Sequence, residues 1–76
     1  MYNLQMTKRK ISKLVHVDEY VAEVNVELIY TDDDWSPYLS VEDASRLDDV
    51  RDALRRKDIE TASRLSRVYK LLPVAA

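Results

Sequence analysis

From Tyr20 to Tyr30 every second residue is apolar: Tyr20, Ala22, Val24, Val26, Leu28 and Tyr30, with Val21, Glu23, Asn25, Glu27 and Ile29 between them. A helix cannot use this period, because residues two apart on a helix point to different sides, whereas in a strand they share a face. The segment is therefore read as a half-buried strand with one oily side. A strand needs partners to be stable, so the rest of the chain must supply them.

The nearest partner precedes it. Ile11 to Val17 is rich in β-branched residues, and Asp18-Glu19 sits where a turn belongs, so the spacing predicts a β-hairpin. Centring the turn on Asp18-Glu19 pairs Val17 with Tyr20, Val15 with Ala22 and Ile11 with Val26 on one face, and Lys10 with Glu27 on the other. The same register sets Lys13 against Val24 and Leu14 against Glu23, two mismatches that a bulge would shift. The chain has no glycine, so the Asn-Gly or Asp-Gly of a tight primed turn is missing and a longer loop is expected.

Past Thr31, Pro37 restricts Trp35-Ser36-Pro37-Tyr38-Leu39 to an edge or a loop. A helix is then expected from about Val41 to Arg56. Ser40 is its N-cap, Glu42 and Asp43 favour the positive end of its dipole, and Arg55-Arg56-Lys57 closes it. Its apolar stripe is Val41, Ala44, Leu47, Val50 and Leu54. Asp58 opens a second helix carrying Ile59, Ala62 and Leu65. Residues Arg67 to Leu72 fit either a continuation of that helix or a third strand; the strand is expected, because a lone hairpin is marginal. The predicted fold is α+β, an antiparallel hairpin plus a C-terminal strand with two helices on one face, in the order β-β-α-α-β. Residues 1–76 form one small domain in this reading, with 1–7 a loosely ordered N-terminal extension.

Several chemistries are excluded outright. Without cysteine there is no disulfide, thiolate nucleophile or thiolate zinc site, and without glycine there is no phosphate-cradling loop. His16 is the single histidine and is read as an ordinary strand residue. Asp32, Asp34, Ser36, Ser40 and Asp43 mimic a calcium-loop spacing. Pro37 stands where that loop needs glycine, and Asp43 where it needs a bidentate glutamate, so no metal site is expected. No catalytic residues and no cofactor are expected, and the chain is read as a non-enzyme.

Charge is unevenly laid out. Residues 1–17 carry four basic groups and no acid, residues 18–50 carry eleven acids against Arg46 alone, and residues 51–76 are basic again, for a net charge of −2. An acidic middle beside Trp35, Pro37 and Tyr38 suits a basic protein partner, with Asp32, Asp33, Asp34, Trp35 and Tyr38 as the contact residues. An open edge strand would also permit a homodimer. The alternative is nucleic-acid binding by the basic helical region through Arg55, Arg56 and Arg64. The net negative charge and the lack of a helix-turn-helix packing pattern disfavour it. MYNLQMTKRK has no apolar leader core and no stretch is long enough to span a bilayer, so a cytoplasmic location without membrane contact is expected.

VAEVNVELIY, an acidic turn, WSPYLS and then EDASRLDDVRDALRR together resemble, over about residues 20–56, the HicB-like antitoxin domains of bacterial toxin–antitoxin pairs. The resemblance implies a ribbon-plus-helix domain without enzymatic activity. It further implies a basic ribonuclease toxin as the partner, with Asp32–Asp34 and Trp35–Tyr38 nearest to it.

Overall fold

A computed structural model describes residues 6–31 and 36–75. Strands β1 (Met6–Val17) and β2 (Tyr20–Thr31) form a long antiparallel hairpin. A two-residue strand β3 (Tyr38–Leu39), helix α1 (Val41–Arg55), helix α2 (Ile59–Leu65) and strand β4 (Arg67–Lys70) follow. The fold is α+β, and residues 67–70 form the strand expected of them. β2 is the centre of the sheet: β1 lies along one side, while β3 and β4 share the other, β3 at Leu28–Ile29 and β4 at Tyr20–Glu23.

The hairpin register is the expected one, with Val17 opposite Tyr20, Val15 opposite Ala22, Ile11 opposite Val26 and Lys10 opposite Glu27. Two expectations are corrected. No longer loop is used: Asp18 and Glu19 alone make the turn, with Asp18 at φ 53 supplying the positive angle that glycine normally provides. Aspartate tolerates that region better than most residues, and His16 Nε2 donates to the Asp18 carbonyl at 2.8 Å, holding the bend. Nor does a bulge relieve the mismatches: Lys13 faces Val24 and Leu14 faces Glu23 in unbroken register. Both β1 side chains stay exposed, Lys13 at the free edge and Leu14 on the face away from the helices.

The helices cover the face carrying Val15, Ala22, Val24 and Val26, and these four close on Val50, Ala53, Leu54 and Ala62. Ala22, Ala53 and Ala62 are fully buried, and their small size brings helix and sheet backbones close enough for Val24, Val50 and Leu54 to interdigitate. Each of those larger side chains contributes about 1.5–3 kcal/mol by leaving water. The expected stripe on α1 holds at Leu47, Val50 and Leu54 but fails in the first turn. Val41 and Ala44 are exposed, and the buried place belongs to Asp43.

The two helices meet at a tight corner. Asp58 N–H donates to Ala53 O (2.8 Å) and Lys57 N–H to Leu54 O (3.0 Å), the paired bonds of a Schellman ending, with Lys57 at φ 59 where glycine is usual. Asp58 then caps α2 by accepting from Thr61 N–H and Oγ1.

Candidate interaction surface

β3 and β4 leave a gap between them on β2, at Val24–Glu27, where no strand among the described residues continues the ladder. α1 fills it with side chains. Ser40 caps α1 by accepting from Asp43 N–H. The Asp43 carboxylate reaches across to accept from Glu27 N–H at 2.8 Å and holds Arg46 in an ion pair, while Arg46 Nη1 donates to Asn25 O at 2.9 Å. Helix side chains thus replace a missing strand, satisfying main-chain groups of β2 and fixing the helix start on the sheet. An open groove of about 540 Å³ runs past this clamp, bounded by Lys10, Ser12, Asn25 and Arg46.

The clamp also reveals which way the β1 edge points. Glu27 N–H leaves β2 on the side away from β1, so the odd residues of β2 face outward and the even ones face β1. Their partners on β1 are odd, so the main-chain groups of Lys8, Lys10, Ser12, Leu14 and His16 point away from the sheet. β1 pairs only with β2, and its outer side carries no strand among the described residues. An edge of this length is a template for an added strand. Its side chains include Lys8, Arg9, Lys10 and Lys13 and no acid.

The sheet face opposite the helices is uncovered. Near the turn it carries Leu14 (68% exposed), Val21, Tyr69 and, one step beyond β4, Leu71. Its middle is polar, with Ser12 Oγ donating to Asn25 Oδ1 at 3.2 Å and Arg67 opposite Glu23; Ile29 and Tyr38 lie toward the other end. Tyr69, by hydrogen bond and charge, and then Glu23 raise the Arg67 pKa above its ordinary value.

Of the residues expected to meet a partner, Asp32, Asp33, Asp34 and Trp35 lie outside the described residues. Tyr38 lies on β3 opposite Ile29, about half exposed on the uncovered face. The remaining acids do not converge. Glu23 and Glu27 sit on the uncovered face of the sheet, whereas Glu42, Asp48, Asp49 and Asp52 are exposed on α1 across the molecule. The basic residues of the nucleic-acid alternative are dispersed too. Arg55 is exposed in the last turn of α1, Arg56 pairs with Asp52 at 3.1 Å, and Arg64 with Glu60 at 2.7 Å. Asp43 and Arg46 were not anticipated as a unit. The available signal was a carboxylate three residues before an arginine, on the same stripe as Leu47 and Val50.

Among the described residues no cluster of three or more histidine or acidic side chains could hold a metal ion, and no helix is long and apolar enough to cross a membrane. No protein-family model, curated protein or solved structure matches the chain.

Proposed function

We propose that this chain is a small, non-enzymatic protein-interaction module that binds by adding a strand to the free edge of β1. The observation that carries the reading is that, among the described residues, β1 is paired on one side only along Met6–Val17. In such binding the main-chain ladder supplies affinity, and side chains on alternate positions supply selectivity. The narrower form of the proposal is antitoxin-like: a cytoplasmic module that also holds a basic protein through Asp32–Asp34, Trp35 and Tyr38. It draws on the ribbon leading through a proline-containing segment into a capped helix, and on Tyr38, half-exposed and four residues after the acidic run in the sequence.

The test is a proline at an outward position. Ser12→Pro removes an N–H that points away from β2, so the hairpin ladder survives while an incoming strand loses its central bond. Far-UV circular dichroism should match that of the wild type. A partner recovered from the native host by the wild-type chain should be lost with Ser12→Pro. A partner that binds both forms equally would refute strand addition. Replacing Asp48 and Asp49 by lysine checks that any loss is local to the edge, because those residues lie on the far side of the helix layer.

A further inference from the structure

We infer that one occupant of the β1 edge is a second copy of this chain, paired antiparallel about a two-fold axis at Ser12 so that two four-stranded sheets become one. The inference rests on the strand-addition reading and specifies its partner and register.

The argument is one of charge placement. A two-fold axis perpendicular to the sheet returns each side chain to its own face, so odd residues must meet odd and even must meet even. That restricts the axis, near the middle of β1, to Lys10, Ile11, Ser12, Lys13 or Leu14. An axis at Lys10 sets Lys10 against Lys10 of the partner copy, and one at Lys13 sets Lys13 against its own copy. An axis at Ile11 sets Arg9 against Lys13 twice. Like charges directly opposite one another across a strand pair are destabilising, so these three registers are selected against.

An axis at Ser12 sets no like charges directly opposite one another; Arg9 and Lys13 of the two copies meet only on the diagonal, about 7–8 Å apart. Lys10 meets Leu14, Arg9 meets Val15, Ile11 meets Lys13, Thr7 meets Val17 and Lys8 meets the imidazole of His16. Ile11, Leu14 and Val15 then each lie under the hydrocarbon stem of a lysine or arginine whose charged end reaches water. Leu14, 68% exposed in the single chain, is covered in this way by Lys10. An axis at Leu14 is also free of clashes, but it pairs only Ile11 to Val17 and leaves Lys8 and Lys10 beyond the partner strand. The Ser12 axis engages Lys8, Lys10, Ser12, Leu14 and His16, all of whose main-chain groups point outward. The basic residues thus guard the edge against wrong registers and leave one long register open.

The experiment uses the full chain, which has no native cysteine to interfere. Sedimentation of the wild type across the micromolar range should show a concentration-dependent dimer that Ser12→Pro dissociates. Single-cysteine variants read the register. In the Ser12 arrangement the two Cα atoms of residue 12 lie about 5.5 Å apart, within the span of a disulfide. Those of residue 10, and likewise of residue 14, are offset by four positions, about 14 Å. Under a mild oxidant Ser12→Cys should cross-link in high yield, and Lys10→Cys and Leu14→Cys should not. Preferential cross-linking of Leu14→Cys overturns the register. A monomeric wild type whose heterologous partner is still lost with Ser12→Pro overturns the self-pairing and leaves the strand-addition reading standing. A dimer that neither cross-links through Ser12→Cys nor responds to Ser12→Pro is built on another surface and overturns the self-pairing; if a heterologous partner also binds Ser12→Pro as well as the wild type, the strand-addition reading falls with it.

Discussion

Removing the Asp43 carboxylate should destabilise the fold far more than an ordinary first-turn helix substitution. Asp43 is 8% exposed, and its carboxylate accepts from Glu27 N–H while pairing with Arg46. In Asp43→Ala the Glu27 N–H sits in the gap between β3 and β4 with no acceptor, a cost of about 1–3 kcal/mol. The Arg46 side chain is about a third exposed, so losing its ion pair adds less than about 1 kcal/mol after solvent screening. The lost favourable charge at the helix start adds about 0.3–1 kcal/mol. Together these give about 1–5 kcal/mol, against a total stability of about 5–15 kcal/mol typical of small domains. Asp43→Asn keeps an oxygen for Glu27 N–H and should lose roughly half as much. Urea denaturation monitored by circular dichroism gives the energies, and amide hydrogen exchange at Glu27 identifies their source. Protection there should fall in Asp43→Ala but persist in Ser40→Ala, which removes only the cap, at about 1 kcal/mol. A loss below about 0.5 kcal/mol in Asp43→Ala, with Glu27 still protected, would refute the view that the side chain stands in for a strand.

Two further perturbations follow from the corner between the helices. Lys57 holds a positive φ that costs a residue with a Cβ about 1 kcal/mol, so Lys57→Gly should raise stability by about 0.5–1 kcal/mol and the melting temperature by a few degrees. A lower melting temperature would mean the lysine side chain contributes more than its backbone strain removes. Asp58 has its pKa lowered below 3.8, first by the Thr61 hydroxyl and then by Thr61 N–H. A carboxylate whose folded pKa is depressed stabilises the fold above its unfolded value and loses that contribution as pH falls through the folded one. Melting temperature should therefore decline as pH drops below about 4, and Asp58→Asn, which keeps the cap without the titration, should flatten that part of the decline.

How far these features could be read from the residues depended on how local their causes are. The hairpin register was legible because period-two alternation on both sides of Asp18-Glu19 permits one alignment in which Val15, Ala22, Val26 and Ile11 share a face. Ser40 and Asp58 were legible as caps because a capping side chain bonds an N–H three residues ahead. The tight turn is not legible, because a tight primed turn prefers Asn-Gly or Asp-Gly and the chain has no glycine, whereas Asp18 and Lys57 both adopt positive φ with their neighbours' hydrogen bonds as support. Asp43 was legible as a first-turn acid but not as a bridge, because its role depends on β3 and β4 stopping short of each other on β2. That gap is set by where β3 and β4 pair on β2, at Leu28–Ile29 and Tyr20–Glu23, and leaves no mark in the residues around Asp43. The same distinction applies to β1. Its basic side chains were legible as charge, but charge acquires a register only once it is known which main-chain groups face outward. The hydrogen bond from Glu27 to Asp43 supplies that knowledge: the contact that closes one side of β2 fixes the direction in which the far edge of β1 is open.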